Sequence, residues 1–370
     1  MFSIRIRPFV LFVVLTLVFV SAAAGERAWP PIFDFERPEL LEAWCTQAAG
    51  GILSITEARA NVRSGRGALE LNWTPADGRL AIVSAGPVRL DTRPRSLRLS
   101  VKVSETGPIM YGVRDASGGS YQGYLYAPAD AWHDIAVSLS ELMLSECSDD
   151  EHGRLDVNQI TGLMVADLSN LGGEAGRSLG TKSGAQRLWL DNVELSGDLA
   201  PRRSRRGPDG ELIIDDFNRE PIHCLPIGSP LLELVPAGDG GDDERALRIT
   251  YDRAQYRWAG FVTAVGYLDL TRRSAIYLRV KADQAVPLTV VLEERDGSKY
   301  QVVRRLDPEE GWHTLRLPFD RFTLDRHSED VNEQLDLDQL RVIIPVVDAK
   351  RAEVDEDGVG AWSVARIWVK

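Results

Sequence analysis

The sequence predicts an all-β protein with two tandem β-sandwich domains. Its 370 residues are enough for two hydrophobic cores. A set of landmarks recurs after about 180 residues, which indicates a duplicated domain rather than a short solenoid repeat. Within each copy, short runs of alternating apolar and polar residues are separated by turn residues, as is typical of antiparallel strands.

The duplication is visible in paired segments that keep the same order along the chain. Residues 32–38 return as 214–221, and LDTRPRSLRLSVKV at 90–103 returns as LDLTRRSAIYLRVK at 268–281. Between the copies lies a Pro-, Gly- and Arg-rich stretch without apolar periodicity, which favours an exposed linker. The predicted boundaries are a signal peptide at 1–24, a first sandwich at 25–196, a linker at 197–211 and a second sandwich at 212–370.

Alternation of apolar and polar residues places one face of each predicted strand in the core and the other in water. The run 97–103 alternates leucine and valine with Arg98, Ser100 and Lys102, and the run 276–281 repeats the pattern. Turns that contain Asp and Gly follow in both copies, which predicts a hairpin between two strands each time. Helical patterns are weak throughout the chain that follows the leader.

The N-terminal residues have the pattern of a secretory signal peptide. Arg5 and Arg7 precede an apolar run at 9–20, and the small residues that follow predict cleavage after Ala24. We therefore expect an exported protein, secreted or periplasmic, that touches a membrane only if the leader stays uncleaved as an anchor. The formal net charge is −12 with the leader arginines included, which argues against nucleic acid as a partner.

The three cysteines are open to more than one interpretation. Cys45 and Cys147 fall in the first sandwich and could pair in an oxidising compartment, which leaves Cys224 as an odd thiol. Their spacing matches no zinc site. The sequence favours the alternative, in which they are isolated buried thiols.

Four landmarks of the first copy occur in a characteristic order. They are Phe33-Asp34-Phe35-Glu36, a hairpin with Asp115, Gly118 and Tyr121, a strand that begins at Trp132, and the closing Leu190-Asp191-Asn192-Val193. With them the chain resembles the galactose-binding-like jelly roll, especially carbohydrate-binding module family 11 and the complex-I intermediate-associated domain. The second copy keeps the first three landmarks, but Val364-Ala365 replaces the closing Asp-Asn. The resemblance implies a jelly-roll topology for each sandwich, while the ligand has to be argued from the residues.

A glycan-binding face is predicted on the central hairpin of the first copy. Sugar rings stack on aromatic faces while nearby polar groups bind their hydroxyls. The candidate ligand-binding residues are Tyr111, Arg114, Asp115, Tyr121, Tyr124 and Tyr126. The alternative is that half of these tyrosines point into the sandwich and the rest pack across strands. In the second copy Tyr300 remains of this set, so that copy is expected to be a diverged structural partner.

The resemblance also implies a structural Ca²⁺ between the first and last strands of a copy. Hard oxygen ligands are available at Asp34, Glu36 and Asp191 of the first copy. The second copy lacks the closing aspartate, which argues against a matching site there.

The usual metal and phosphate motifs of catalysis are missing. The chain has no His-Glu-x-x-His and no Gly-Lys-Ser/Thr loop. His133 and His313 recur in both copies, but each follows a Trp at a strand start and has no nucleophile near it in sequence. We therefore predict an exported, non-catalytic carbohydrate-binding protein whose partner is a glycan. The alternatives are a structural or adaptor protein that binds a cell-envelope protein and, less favoured, a polysaccharide-acting enzyme.

Overall fold

Strands dominate the residues that the computed structural model describes, which are 32–370 apart from 77–78, 91–92, 146–147, 149, 151–152, 172–177, 239–243, 267 and 354–357. The predicted signal peptide and Cys147 lie outside these residues. None of the helices in the described part is long and apolar enough to cross a bilayer. Short 3₁₀ helices connect strands at Pro38–Ala43, Arg59–Asn61, Leu139–Glu141, Pro308–Glu310, Phe319–Arg321 and Ala349–Arg351.

The described part of the first copy forms two antiparallel sheets from strands β1 to β12. Their bounds are β1 Ile32–Phe33, β2 Trp44–Thr46, β3 Ile52–Thr56, β4 Ala68–Trp73, β5 Ala81–Ala85, β6 Ser96–Val103, β7 Gly107–Asp115, β8 Ser120–Ala127, β9 His133–Ser138, β10 Met143–Leu144, β11 Ile160–Asp167 and β12 Gln186–Ser196. The outer sheet has the order β3-β4-β12-β6-β9, and β1 pairs with β12. The inner sheet has the order β10-β8-β7-β11-β5-β2.

The described part of the second copy repeats this architecture with strands β13 to β25. Their bounds are β13 Arg205–Arg206, β14 Leu212–Asp215, β15 Leu225–Ile227, β16 Leu231–Pro236, β17 Arg245–Asp252, β18 Trp258–Ala264, β19 Ala275–Ala282, β20 Val286–Glu294, β21 Lys299–Leu306, β22 His313–Pro318, β23 Thr323–Leu324, β24 Leu340–Asp348 and β25 Val359–Val369. The outer sheet contains β16-β17-β25-β19-β22, with β14 paired to β25 and β13 to β14. The inner sheet has the order β23-β21-β20-β24-β18-β15. Strand for strand, both sheets repeat the order found in the first copy, as expected for a duplicated domain.

Each copy has its own hydrophobic core between its outer and inner sheets. In the first copy Leu69 and Leu190 of the outer sheet are buried against Ile109 and Val165 of the inner sheet. The second copy places Leu278 and Trp362 opposite residues of its own inner sheet in the same way. The predicted all-β class and the two sandwiches are therefore confirmed.

Strand β6 differs from the alternation that its sequence predicts. Ser100 and Lys102 should face water, but both are buried. Ser100 Oγ donates a hydrogen bond to Asp134 at 2.7 Å, and Lys102 Nζ donates one to the carbonyl of Ala60 at 3.0 Å. Arg63 also binds Asp134, so the chain around residues 60–63 covers this end of the outer sheet. The equivalent strand β19 keeps the expected alternation.

The inner sheets of the two copies pack against each other through a third cluster of buried apolar side chains, which we call the inter-copy core. It contains Ile82, Met110, Tyr124, Met143, Met164, Ala166, Leu168 and Leu179 of the first copy, and Leu225, Ile227, Val262, Ala264, Val342, Ile344 and Val346 of the second. A backbone hydrogen bond from Tyr126 N to Ile222 O, 2.9 Å long, links the two copies at its edge. The copies therefore form one packed unit.

Part of the predicted linker contributes to this contact. Arg203 donates to the carbonyl oxygens of His223 and Ala264 at 3.1 Å, and its backbone N–H donates to Glu141 Oε1 of the first copy at 3.0 Å. Strand β13 follows directly and extends the outer sheet of the second copy. This stretch differs from the exposed linker predicted over 197–211, because its arginine binds carbonyl groups at the inter-copy contact.

We expect the full chain to unfold in one cooperative transition, because both copies share the inter-copy core. Ile344→Ala should lower the free energy of unfolding of the whole chain by about 2–5 kcal/mol, the usual cost of such a buried truncation. Urea unfolding followed by far-UV circular dichroism measures this. Val303→Ala, at a side chain that is 52% exposed, is the control and should be close to neutral. Two separate transitions, of which Ile344→Ala moves only one, would contradict a shared core.

Candidate functional site

The structure places all four predicted tyrosines on two neighbouring strands and buries each of them. Tyr111 lies on β7, and the other three lie on β8. The exposed fractions are 2% for Tyr111, 0% for Tyr121, 8% for Tyr124 and 5% for Tyr126. A sugar cannot stack on a ring face that other side chains already cover. The predicted open aromatic face is therefore wrong for this arrangement of the two copies.

The tyrosines are buried in three different places. Tyr111 and Tyr121 point into the core of the first copy, Tyr124 points into the inter-copy core, and Tyr126 packs with the core of the second copy. Tyr124 and Tyr126 are buried because the second copy lies on the sheet that was expected to bind a glycan, whereas the first copy's own core covers the other two. Glycan stacking on Tyr124 or Tyr126 would require the two inner sheets to separate.

Asp115 closes the turn between β7 and β8. Its Oδ1 accepts hydrogen bonds from the N–H groups of Ser117 and Gly119 at 3.1 and 3.0 Å. Its Oδ2 accepts one from Asp156 N at 3.3 Å. Arg114 precedes it and is half-buried. Both candidate residues thus lie at the end of the hairpin, and the Asp115 side chain is fully engaged in holding the turn.

A hydrogen bond between a tyrosine and an aspartate recurs at this place in both copies. Tyr121 donates its hydroxyl to Asp150, and Tyr300 donates its hydroxyl to Asp330. In each copy the acidic residue at the end of the preceding strand also accepts a backbone N–H from the same long loop. The shared Asp/Glu-and-Tyr pattern therefore holds a loop to the hairpin in both copies.

The three residues predicted to bind calcium lie at the first and last strands of the first copy. Asp191 is fully buried, and its Oδ2 accepts hydrogen bonds from the N–H groups of Arg63 and Ser64, each at 3.0 Å. Burial raises the pKa of Asp191, although these bonds oppose the shift. Asp34 is exposed, and its Oδ1 accepts Glu36 N at 3.2 Å.

Glu36 holds the same loop from the other side. Its Oε1 accepts the N–H of Arg66 at 2.7 Å, and a Cβ atom at Gly65 would lie 1.9 Å from that oxygen. Gly65 also has φ of +62°, so glycine is required there twice over. The three predicted carboxylates do not form one of the described groups in which three ligand atoms lie within 4.8 Å. Their oxygens bind N–H donors, which complement an anion, and calcium at this place stays a prediction.

The second copy brings three acidic residues together at the end of its hairpin. Glu294, Asp296 and Asp330 each place a carboxylate oxygen within 4.8 Å of the others. Burial, together with nearby aspartates, raises the pKa of Glu294 to about 7. The hydrogen bond from Tyr300 has the opposite effect on Asp330, whose pKa is lowered. The arrangement stores electrostatic repulsion that the proton on Glu294 relieves.

Several titratable groups are buried at the inter-copy contact. Tyr111 Oη lies 3.1 Å from His223 Nδ1. Burial, with Arg203 close by, lowers the pKa of His223 to about 3, so its imidazole is neutral at pH 7. Burial raises the pKa of the neighbouring Cys224 thiol well above its ordinary value. A thiol of this kind is a poor nucleophile, because the thiolate is the reactive form.

The two recurring histidines are engaged in turns. His133 Nε2 lies 2.9 Å from the carbonyl oxygen of Pro128, and His313 Nδ1 lies 3.2 Å from that of Gly311. His313 Nε2 also lies 3.1 Å from Glu310 Oε2. Both rings therefore hold the turn that precedes a strand, which agrees with their place directly after a Trp.

An open groove of about 570 Å³ lies at one end of the second copy, and we call it the end groove. Its walls come from five segments: β17, the β19–β20 turn, the end of β21 with residues 307–309, Glu353, and the start of β25. Its lining includes the side chains of Arg248, Asp283, Gln284, Arg305 and Glu353 and the backbone of Gly360. This site could not be found from the sequence, because its residues come from five separate segments and form no motif.

Hydrogen bonds fix the central side chain of the end groove. Gln284 Nε2 donates to Tyr251 Oη at 2.5 Å, and Ala361 N donates to Gln284 Oε1 at 3.3 Å. A Cβ atom at Gly360 would lie 2.3 Å from Gln284 Nε2, so the glycine leaves the space that this amide occupies. Glutamine side chains are usually free to change rotamer, but these hydrogen bonds hold the Gln284 amide in one orientation.

We expect Glu294→Gln to remove a pH-dependent loss of stability. The folded state holds a proton on Glu294 up to about pH 7, whereas the ordinary value is 4.5, so stability is lost as the pH rises through this window. The variant should unfold at a higher temperature than the parent at pH 8 and at a similar temperature at pH 4. Thermal unfolding between pH 4 and 8 measures this. Glu57→Gln, an exposed site, is the control, and parallel pH profiles for parent and Glu294→Gln would refute the assignment.

No family model and no curated protein sequence matches this chain. Among solved structures it is similar to a family 11 carbohydrate-binding module from Clostridium thermocellum, determined with a β-1,3-1,4-mixed-linked tetrasaccharide, with 16% identity, a TM-score of 0.34, and coverage of 46% of this chain and 95% of that one. It is similar to the CBM22-1–CBM22-2 tandem domain of Paenibacillus barcinonensis Xyn10C, with 13% identity, a TM-score of 0.30, and coverage of 94% and 99%. It is also similar to an exo-β-agarase, with 12% identity, a TM-score of 0.34, and coverage of 50% and 27%. The first of these belongs to the family that the motifs of the first copy resemble, and at these values the likenesses carry no argument about ligand or activity.

Proposed function

We propose that the protein is an exported, non-catalytic carbohydrate-binding protein that holds its glycan in the end groove of the second copy. The observation that carries the proposal is the end groove itself. Its volume of about 570 Å³ falls within the range of roughly 300–1,000 Å³ that is usual for small-ligand sites. Export rests on the signal-peptide pattern at residues 1–24.

The side chains of the end groove suit a ligand with many hydroxyl groups. Arg248 and Arg305 offer guanidinium donors, Asp283 and Glu353 offer carboxylate acceptors, and Gln284 offers a fixed amide. Such groups can bind sugar hydroxyls in pairs. The apolar side chains that a sugar ring also needs are supplied at the rim by Pro308 and Val359.

The tyrosines of β8 have a packing role instead of a glycan-binding role in this proposal. Tyr124 is part of the inter-copy core, so exposing it would also expose the apolar side chains around it. Exposure of buried apolar surface costs about 25 cal/mol per Å². Binding at the end groove requires no such separation of the copies.

The adaptor alternative needs a contiguous exposed apolar patch. Among the described residues, the exposed large apolar side chains sit on separate elements, such as Ile52 on β3, Leu231 on β16 and Val303 on β21. The broad apolar surface of each inner sheet is already used by the other copy. This distribution favours the glycan-binding proposal over the adaptor.

We expect substitution of side chains that line the end groove to weaken glycan retention by about tenfold or more. The reason is that a hydrogen bond to a charged group contributes roughly 1.5–3 kcal/mol. The double variant Arg248→Ala/Gln284→Ala should lose retention in native gels that contain soluble mixed-linkage glucan, xylan, galactan or agarose. Its far-UV spectrum should remain that of the parent.

Two matched controls locate the site. Tyr124→Phe changes only the buried strand, and Arg206→Ala removes an exposed arginine on β13, so both should leave retention unchanged. Loss of retention with Tyr124→Phe but not with the groove variant would place the ligand elsewhere. Release of reducing sugar from any retained polymer would refute the non-catalytic assignment.

A further inference from the structure

We infer that the end groove selects neutral glycans, and that its two arginine–carboxylate pairs open to accept neighbouring hydroxyls of one sugar chain. This inference rests on the proposed function and names the class of ligand for the same site. It is carried by the pairing of the wall side chains, by their balance of charge and by the fixed amide between them.

Each arginine in the end groove is bound to a carboxylate across the wall. Arg248 Nη2 lies 2.6 Å from Asp283 Oδ2, and Arg305 pairs with Glu353. All four side chains are at least one-third exposed. Exposed ion pairs of this kind contribute only about 0–1 kcal/mol to stability, so a ligand can separate them at low cost.

A hydroxyl group satisfies both members of such a pair. It donates to the carboxylate and accepts from the guanidinium, so two adjacent hydroxyls replace every hydrogen bond that the pair gives up. A carboxylate or sulfate of an acidic sugar satisfies Arg248 but leaves Asp283 facing a like charge. An ammonium group of an amino sugar can donate to Asp283, but it offers no acceptor to Arg248 and repels its positive charge.

The overall charge of the end groove also disfavours an anion. Among the described residues that line the groove, two arginines are outnumbered by four acidic residues, namely Asp283, Asp307, Glu309 and Glu353. A negatively charged group of a ligand is repelled when it comes within about 4–6 Å of these carboxylates. The groove thus differs from an anion site, in which basic residues are in excess.

Gln284 is the residue that we expect to fix the orientation of the sugar. Its amide is held by Tyr251 and by Ala361 N, so it need not be ordered when the ligand arrives. The structure assigns Gly360 a positioning role, because any side chain there would displace the amide. Gly360→Ala should therefore weaken binding without changing any charge in the groove.

The test compares one polymer with its own oxidised form, using the full mature chain. The probe is a retained neutral polysaccharide with C6 hydroxymethyl groups, mixed-linkage glucan or galactan, together with the same polymer oxidised at C6 so that CH₂OH becomes carboxylate. We expect at least tenfold weaker binding of the oxidised polymer at low salt. The difference should shrink in 0.5 M NaCl, where the Debye length falls to a few ångströms, roughly 4 Å.

The variant pair isolates the role of charge. Asp283→Asn should weaken binding of the neutral polymer and narrow the preference for neutral over oxidised polymer several-fold. Asp320→Asn makes the same change of charge near the opposite end of β19, where Pro318 pairs with Ala275, and should leave both affinities unchanged. Gly360→Ala should weaken binding of both polymers by the same factor and leave the preference for the neutral polymer unchanged.

The outcomes separate this inference from the proposed function. Equal or tighter binding of the oxidised polymer overturns neutral selection, while the end groove remains a glycan site. An unchanged preference in Asp283→Asn overturns the role of the ion pairs. Failure of every polymer to bind overturns the proposed function and this inference with it.

Discussion

The apolar contact between the two inner sheets determines most of the rest of the structure. A sheet in an antiparallel sandwich usually has one face in the core and one in water. Here the inner sheet of the first copy is apolar on both faces, because the second copy covers the face that would otherwise be solvated. The contact fixes the path of the connecting chain, since Arg203 binds carbonyl groups on its edge. It also decides which surfaces remain open to a ligand.

The same contact explains a difference in composition between equivalent strands. When β8 and β21 are aligned on their first tyrosines, Tyr124 of the buried strand corresponds to Val303, which is 52% exposed. The arginines that follow Val303 are also exposed, and Arg305 lines the end groove. In the same alignment the buried Tyr126 corresponds to Arg305, so tyrosine and arginine reflect whether that position of the sheet is covered or exposed. They are not evidence that one copy has a ligand and the other has lost it.

The sequence was sufficient to predict the class of fold but not the place of the site. A period of two and a long repeat reveal strands and a duplication, because both are local in the chain or visible by self-comparison. Neither tells whether a polar-edged side chain such as Tyr124 faces a core, another domain or water, since tyrosine fits all three. The prediction of Lys102 as solvent-facing was wrong for a related reason: its partner, Ala60, is distant in sequence. The end groove could not be predicted, because its walls are assembled only when five segments fold together.

The two copies meet off-centre, with consequences for how an assembly of such sandwiches ends. The first copy contributes β8 to the contact, whereas the equivalent β21 of the second copy contributes no member to the described inter-copy core. A contact between unlike surfaces is heterologous, and such contacts propagate unless something stops them. The charged side chains on β21 supply that stop, as polar terminal repeats do in stacked repeat proteins. A polar strand at this place disfavours the apolar packing by which a third sandwich would be added through the same contact.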